Sequence, residues 1–560
     1  MDELKGLEKN DVIEKDITSM GMEGEGVARV DGKAVFIRGA IRGERVRAKI
    51  IATRPKFDVG LLQSVISPSP DRAEPVCPVY GKCGGCDLQH LVYSAQLSFK
   101  RERVSDALKK IGGFDVPVAE VVPSELKYRY RNKISLPVRQ INDQLKIGLF
   151  AKSSHRIVET PDCFLQPAWN AALAPALRGF MEKNGLVGYD EEKDSGDVRH
   201  IVAREAGGRL SITVVTTREI KTDGLKEAFA GIYPRVSVYL NINRKRSNVI
   251  LGTKWIPVSL DPEPTIIDGY ETDVHPAGFF QVNDDVREKL YSYVADLCDG
   301  AVAIEAYSGA GLLSARLARK ADRVYGIELN PQSHEAALKL CRDNNITNFT
   351  PVLGDVGEKL GEVLTATAAE NENGGGSGNK ETFIVLDPPR TGISAEAAAI
   401  LAASGADNIV YVSCNPPTLA RDARLIADGG YDLISVRPFD MFPETSNLET
   451  LVVLSHKKPD SHLEVKIDFD NTSLDKTAIS ERAEKRKPQE KTTYKKIQEW
   501  IEDNYGFKVH TAYVAEVKRE LGLPMYDAPN AVDELKRPRQ HPTEQMTTAI
   551  KAALKHFEII

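Results

Sequence analysis

Cysteine, tryptophan and long apolar runs are what this chain has little of. It carries 7 cysteines and 3 tryptophans in 560 residues. So few thiols in so long a chain do not make a disulfide scaffold, and a reducing cytoplasm is the expected compartment. No stretch approaches the ~20 apolar residues a membrane span needs. The opening MDELKGLEKNDVIEKDITSM is too charged for a secretory signal. A basic excess is missing too. The formal net charge is -6, against the habit of polyanion binders, so only local clusters of cations could serve a nucleic acid. What remains is an ordinary soluble composition, 42% hydrophobic and 28% charged, with length for several domains.

Residues 11–66 read as five short strands punctuated by Gly24, Gly26, Gly32, Gly39 and Gly43, for which a small barrel of the OB type is the economical fold. Its later strands hold Arg38, Arg42, Arg45, Arg47, Lys49, Arg54 and Lys56 with little acidic interruption. A solvated charged face would do the same, but so uniform a sign favours RNA or DNA contact. CPVYGKCGGC follows at 77–86, and its C-x5-C-x2-C spacing sets Cys77, Cys83 and Cys86 in a glycine-rich turn. Cys163 could add a fourth thiolate from a distance. Four thiolates suit zinc or an iron-sulfur cluster, and spacing does not decide between them. Residues 92–111 show helical spacing, and 126–260 read mainly as strands carrying Arg129, Arg131, Lys133, His200 and Arg204 as candidate phosphate contacts.

From about residue 265 strand-like runs alternate with helical stretches, the pattern of an open, mainly parallel sheet wrapped by helices. Within it ATAAENENGGGSGNKE at 366–381 reads as a flexible surface loop. Beyond 457, residues 475–496 read as a charged linker. KIQEWIEDNYG, TAYVAEVKRELG and a segment near 543–556 read as three helices with a winged-helix-like character.

VAIEAYSGAGLLS at 302–314 is a strand, a glycine turn and a helix start, and the next strand ends at Glu328, where a carboxylate can accept ribose hydroxyls. Later strands end at Asp355 and Asp387. An adenosyl donor carrying a sulfonium and an ammonium suits several carboxylates better than a dinucleotide does. Each acid alone could equally be a helix cap. The run Asn408 to Val412 delivers Cys414 to a strand end, where Pro416 and Pro417 are expected to prevent helix. That thiol is a nucleophile if its surroundings favour thiolate, and otherwise a small buried hydrophobe.

FFQVN at 279–283, the AYSGAG turn, GIELN, LDPPRTG, SCNPPTLARD and FPETSNLET at 442–450, with the cysteine triplet upstream, resemble the bacterial RNA uracil-5-methyltransferases over about residues 10–457. The ribosomal branch, which carries an iron-sulfur cluster, is the nearer likeness. The resemblance implies a Rossmann-like α/β methyltransferase using S-adenosyl-L-methionine on RNA, with 23S rRNA as substrate and tRNA as the alternative. It implies a TRAM barrel at 1–67, a β-rich central domain at 68–91 and 116–264, and a catalytic domain at 92–115 and 265–457. Residues 458–560 form a charged linker and helical extension of no implied role. Cys77, Cys83, Cys86 and Cys163 would hold a [4Fe-4S] cluster. Gln281, Tyr307, Glu328, Asp355 and Asp387 would contact the donor, Cys414 would be the nucleophile and Glu449 the base. A cytoplasmic monomer with no membrane partner is expected. Ser308 and Leu312 depart from the family's Cys-Gly-x-Gly-Asn turn, and Glu444 and Asn447 stand where histidines are usual. If those changes had emptied the donor pocket, the chain would be a non-catalytic RNA-binding assembly protein. Methylation of an exocyclic amine through DPPR is a third reading.

Overall fold

Alternation of apolar strands with amphipathic helices after residue 300 builds a seven-stranded sheet. Its strands are Val302–Ala306 (β17), Arg323–Glu328 (β18), Phe349–Leu353 (β19), Thr382–Leu386 (β20), Asn408–Ser413 (β21), Tyr431–Phe439 (β22) and Glu449–His456 (β23). They lie in the order β19-β18-β17-β20-β21-β23-β22. The first five are parallel, and β23 enters antiparallel between β21 and β22. The order reverses between β17 and β20, the place where open α/β sheets hold their ligands. Both faces are covered, by Val104, Ile304, Ile384, Ile409 and Ile426 on one side and Val286, Leu290, Val324, Val385 and Val410 on the other. This computed structural model describes residues 6–272, 275–278, 280–373, 380–457, 494–521 and 542–557. Two compact units divide the chain, Met1–Asp460 and Ser461–Ile560.

In the first unit the opening residues form six strands, Val12–Asp16 (β1), Ser19–Met20 (β2), Gly26–Val30 (β3), Lys33–Arg38 (β4), Arg45–Thr53 (β5) and Phe57–Ser67 (β6), around Val35, Ile37, Val46 and Ile50. The uniformly basic face expected here is corrected by its register. β1 lies antiparallel to β5 with Glu14 opposite Arg47 and Asp16 opposite Arg45, and both pairs close as ion bridges of 2.6 and 3.3 Å. Arg42 pairs with Glu102 of helix α1, Tyr93–Lys110. The acids come from strands and helices distant in sequence, so no local window shows them.

A second six-stranded sheet follows. It comprises Lys133–Ile141 (β7), Gln144–Ile147 (β8), Val198–Ala206 (β11), Arg209–Thr216 (β12), Val236–Ile242 (β13) and Lys254–Ser259 (β14), with the ribbon Leu149–Phe150 (β9) and Ile157–Val158 (β10) beside it. Its order is β14-β13-β12-β11-β7-β8. Asn170–Lys183 (α2) and Leu225–Phe229 (α3) cover one face. Thr265–Ile267 (β15) and Tyr270–Thr272 (β16) lead on to Asp284–Leu297 (α4).

Two expectations about helices change. Pro416 and Pro417 do not prevent helix but start one, Pro416–Asp428. Residues in a first turn have no intrahelical N–H partner to lose, so proline fits there. The loop expected at 366–381 begins as helix through Asn373, and residues 374–379 lie outside the described part. The remaining helices around the main sheet are Leu312–Leu317 (α5), Pro331–Asp343 (α6), Val356–Asn373 (α7) and Ala395–Ala403 (α8), followed by Pro416–Asp428 (α9).

The second unit contains Tyr494–Tyr505 (α10), Thr511–Glu520 (α11) and Glu544–His556 (α12), packed through Ile497, Ile501, Val514, Val517, Ile550 and Leu554. Most of the linker expected at 475–496 lies outside the described residues. No described helix is long and apolar enough to cross a membrane.

Candidate active site

Four strand ends converge on one cavity of about 640 Å³. Ala306 pairs with both Ile327 and Leu386, so Tyr307, Glu328 and Asp387 emerge side by side at the carboxyl edge of β17, β18 and β20. One strand further, Ser413 of β21 pairs with Thr450 of β23. Continuing that antiparallel register by one residue sets Cys414 against Glu449. All five line the cavity, as do Gln281, Ser308, Leu312, Arg390 and Phe442.

The glycine turn is built for close approach. Gly311 sits at φ 82, and a Cβ there would come within 2.9 Å of the Phe349 ring. Tyr307 is held at φ 67, a costly conformation for a bulky residue. Glu328 accepts from Gly309 N–H at 2.8 Å and Asn330 N–H at 2.7 Å, which fixes its carboxylate at the mouth. Asp355 does not line the cavity. Its carboxylate accepts from Gly357 N–H at 2.8 Å, at the start of α7, where it does the work of a helix cap.

The floor is acidic and buried. Burial pushes the Glu305 carboxyl up to about 8, Ser314 donating to it, and pushes Asp387 up to about 7 against a hydrogen bond from Gln281 at 3.3 Å. Glu449 is fully buried, and its Oε2 has no hydrogen-bond partner among the described residues. Burial first, and Asp387 next, raise it well above the ordinary carboxylate range, while Arg390 opposes them. Burial likewise raises the Cys414 thiol to about 11, with Glu449 adding to the rise and Arg390 lowering it as a charge and a hydrogen-bond donor. Arg390 was not singled out in the sequence, although it stands in LDPPRTG. Its loop is tied to the Cys414 turn by Asn415 Nδ2 donating to Arg390 O at 3.1 Å, and Cys414 itself precedes the α9 N-terminus, whose dipole favours thiolate.

The cysteines form a second neighbourhood. Cys83 and Cys86 both feel Cys77 and Cys163 as like charges, and burial raises Cys83, Cys86 and Cys163. Gly84 N–H donates to Phe150 O at 2.9 Å, laying the CGGC turn on the ribbon that precedes Cys163. Among the described residues no three His, Cys, Asp or Glu side chains are drawn together as a finished metal site. Cys77, Cys83, Cys86 and Cys163 are free thiols on two neighbouring loops.

A parallel sheet with a strand-order reversal, a glycine turn, an acid at the second strand end and an antiparallel seventh strand defines an S-adenosylmethionine-dependent methyltransferase. Residues 237–457 match the family described as tRNA (Uracil-5-)-methyltransferase, and residues 7–58 match the TRAM domain. An uncharacterised RNA methyltransferase of Clostridium tetani is 36% identical over 462 residues, 80% of this chain and 97% of that one. Its counterpart in Halalkalibacterium halodurans is 37% identical over 465 residues, covering 80% and 98%. Among solved structures, a Pyrococcus abyssi tRNA (uracil-54, C5)-methyltransferase bound to S-adenosyl-L-homocysteine aligns with a TM-score of 0.62 and 26% identity, over 79% of this chain and 100% of that one. The chain belongs to the RNA uracil-5-methyltransferase family, and it is an enzyme that methylates uracil in RNA with S-adenosylmethionine.

Proposed function

We propose that the enzyme methylates carbon 5 of a uridine in ribosomal RNA through a covalent bond between Cys414 and carbon 6. The observation that carries this reading is the register that brings Cys414 and Glu449 together beside Arg390 and Asp387. Carbon 5 of uracil is a poor nucleophile. Cys414 thiolate adds to carbon 6, and the ring's double-bond electrons move into an enolate on oxygen 4. Carbon 5 then takes the electrophilic methyl group that bound S-adenosylmethionine would supply, the methyl–sulfur bonding pair staying with the sulfur of the departing S-adenosylhomocysteine. Glu449 removes the carbon 5 proton, the C5–C6 double bond re-forms, and the C6–S bond breaks to release Cys414. A paired base cannot reach the thiol, so the uridine enters unstacked. Gln281, Tyr307, Glu328 and Asp387 hold the donor, and Asp355, outside the cavity lining, adds its negative charge near Tyr307.

Cys77, Cys83, Cys86 and Cys163 would hold a [4Fe-4S] cluster, which would join the 77–86 loop to the Cys163 loop. The likeness of this triplet to the ribosomal branch supports 23S rRNA; the same chemistry on tRNA is the alternative, and the monomer and the cytoplasm are parts of the same proposal.

RNA containing 5-fluorouridine provides the test, because a fluorine at carbon 5 leaves no proton for Glu449 to take. Incubation with this RNA and S-adenosylmethionine is expected to give a denaturation-resistant complex that Cys414→Ala abolishes, and sequencing the trapped RNA identifies the substrate. Absence of an adduct on both ribosomal and transfer RNA, with the donor still bound, would sink the covalent mechanism.

A further inference from the structure

Beside the basic loop that joins β13 to β14, a line of aromatic rings reaches the mouth of the cavity. Trp255 lies opposite Asn241, and Tyr239 opposite Pro257, in the β13–β14 pair. The Tyr239 and Trp255 centroids are 6.2 Å apart at 83°, and those of Trp255 and His275 4.8 Å apart at 73°. His275 is exposed and lines the cavity itself. Its turn is braced: Gly278 N–H donates to His275 O at 2.8 Å, Ala277 N–H donates to Nδ1 at 3.1 Å, and buried Arg204 donates to Gly278 O at 2.6 Å.

Cations stand beside the line, at the loop next to Trp255 and at the cavity. Arg244, Lys245 and Arg246 are exposed on the 243–253 loop, and no carboxylate among the described residues pairs with them. The loop is nonetheless ordered, for Arg199 donates to Asn243 O at 3.0 Å and Lys245 O at 2.7 Å, and Asn243 Nδ2 donates to Val249 O and Ile250 O. At the cavity end, Arg131 lines the wall.

We propose that Tyr239, Trp255 and His275, with the 244–246 loop, form a track for the single-stranded RNA flanking the target uridine. The rings would stack on bases, the loop and Arg131 would meet phosphates, and the strand would deliver its uridine into the cavity. Three features single out RNA as the occupant: cations with no carboxylate partner among the described residues, aromatic faces on which any base can stack, and continuity with the methylation cavity. The barrel face at 14–47 has much of its positive charge neutralised by ion pairs, which leaves this track as the better electrostatic path.

This inference rests on the uridine-methylating reading, but its test does not depend on turnover. A fluorescein-labelled single-stranded oligouridylate is titrated into the whole protein, beside the same strand in duplex with oligoadenylate. Trp255→Ala is expected to weaken single-strand binding about tenfold, and Trp255→Phe to restore most of it. Changing Arg244, Lys245 and Arg246 together to serine should lower the salt slope of binding by about two. Affinity for S-adenosylmethionine should stay unchanged in each, which also checks folding; should the alanine protein fail that check, the phenylalanine and serine variants decide the question. Wild-type affinity and salt slope in properly folded variants, or preference for the duplex, would overturn the track. Weakened binding together with no fluorouridine adduct in wild type would instead keep the track and overturn the covalent mechanism.

Discussion

Asp387, Glu305 and Glu449 are buried carboxyls whose burial outweighs the few groups that favour their charge, Arg390 beside Glu449 among them, and that fixes how the site responds to pH. Glu305 and Asp387 are raised to about 8 and about 7. In the unfolded chain these groups ionise near their ordinary values, so between about pH 4 and 8 the unfolded state binds fewer protons than the folded one. Stability of the ligand-free protein therefore falls as pH rises through this window. A cationic sulfonium favours the ionised carboxyls, so affinity for S-adenosylmethionine should rise from pH 5.5 to 8.5 relative to that for S-adenosylhomocysteine, whose sulfur is neutral. Asp387→Asn should flatten the ratio. Calorimetric titration of both ligands across this range checks it, and a constant ratio in the wild type would refute it. Which residues meet at the cavity was legible in part. Glu328, Asp387 and Cys414 could be read because each ends an apolar run, where a strand must stop, whereas Gln281, Tyr307 and Glu449 came only from the family resemblance. Arg390 was hidden inside a motif, and its effect on Cys414 arises only when two loops fold together. Asp355 looked like the other strand-end acids, but its carboxylate turns back onto its own helix.

Helix α1 illustrates what an element can do that its sequence spacing does not announce. Its apolar positions place Val104, Ala107 and Leu108 in the main core, as the periodicity suggests. Its polar positions grip the segment that leads to Glu449. Lys100 pairs with Asp440 and donates to Phe442 O at 3.0 Å, Gln96 accepts from Glu444 N–H at 3.1 Å, and Arg103 donates to Ser446 O. From the other side Asp87 and Leu88 N–H donate to Glu444 O, next to Cys86. Lys100 and Asp440 are both 0% exposed in their side chains. Lys100→Met should cost about 3–5 kcal/mol, because it leaves a carboxylate buried without its partner. Lys100→Met with Asp440→Leu should recover much of the loss. Thermal unfolding of both variants decides the matter, and a double variant no more stable than the single one would show that the pair contributes more than mutual neutralisation. A lysine on the inner face of a helix looks like a break in amphipathicity when its partner lies 340 residues away. Shorter separations, of 29 and 33 residues, were enough to hide the acids that neutralise Arg45 and Arg47.

At the scale of the molecule, the relatives are covered almost entirely by about four fifths of this chain, and the family match stops at residue 457, just after β23. The first unit holds every residue assigned to the donor, the uridine, the thiol cluster and the RNA track. The second has its own apolar core, in which Ile497, Ile501, Val514, Val517, Ala549, Ile550, Ala553 and Leu554 are buried. The three helices were legible because their apolar positions repeat at helical spacing, whereas nothing in that spacing points to a ligand. A chain ending after Lys457 should therefore fold, bind S-adenosylmethionine with unchanged affinity and form the fluorouridine adduct at the wild-type rate, since β23 would still close the sheet and carry Glu449. Single-turnover adduct formation is the deciding measurement. Equal rates with a higher KM for RNA would assign the second unit to substrate capture, and a slower adduct at saturating RNA would mean that the unit reaches the chemistry and that the first is not a sufficient methyltransferase.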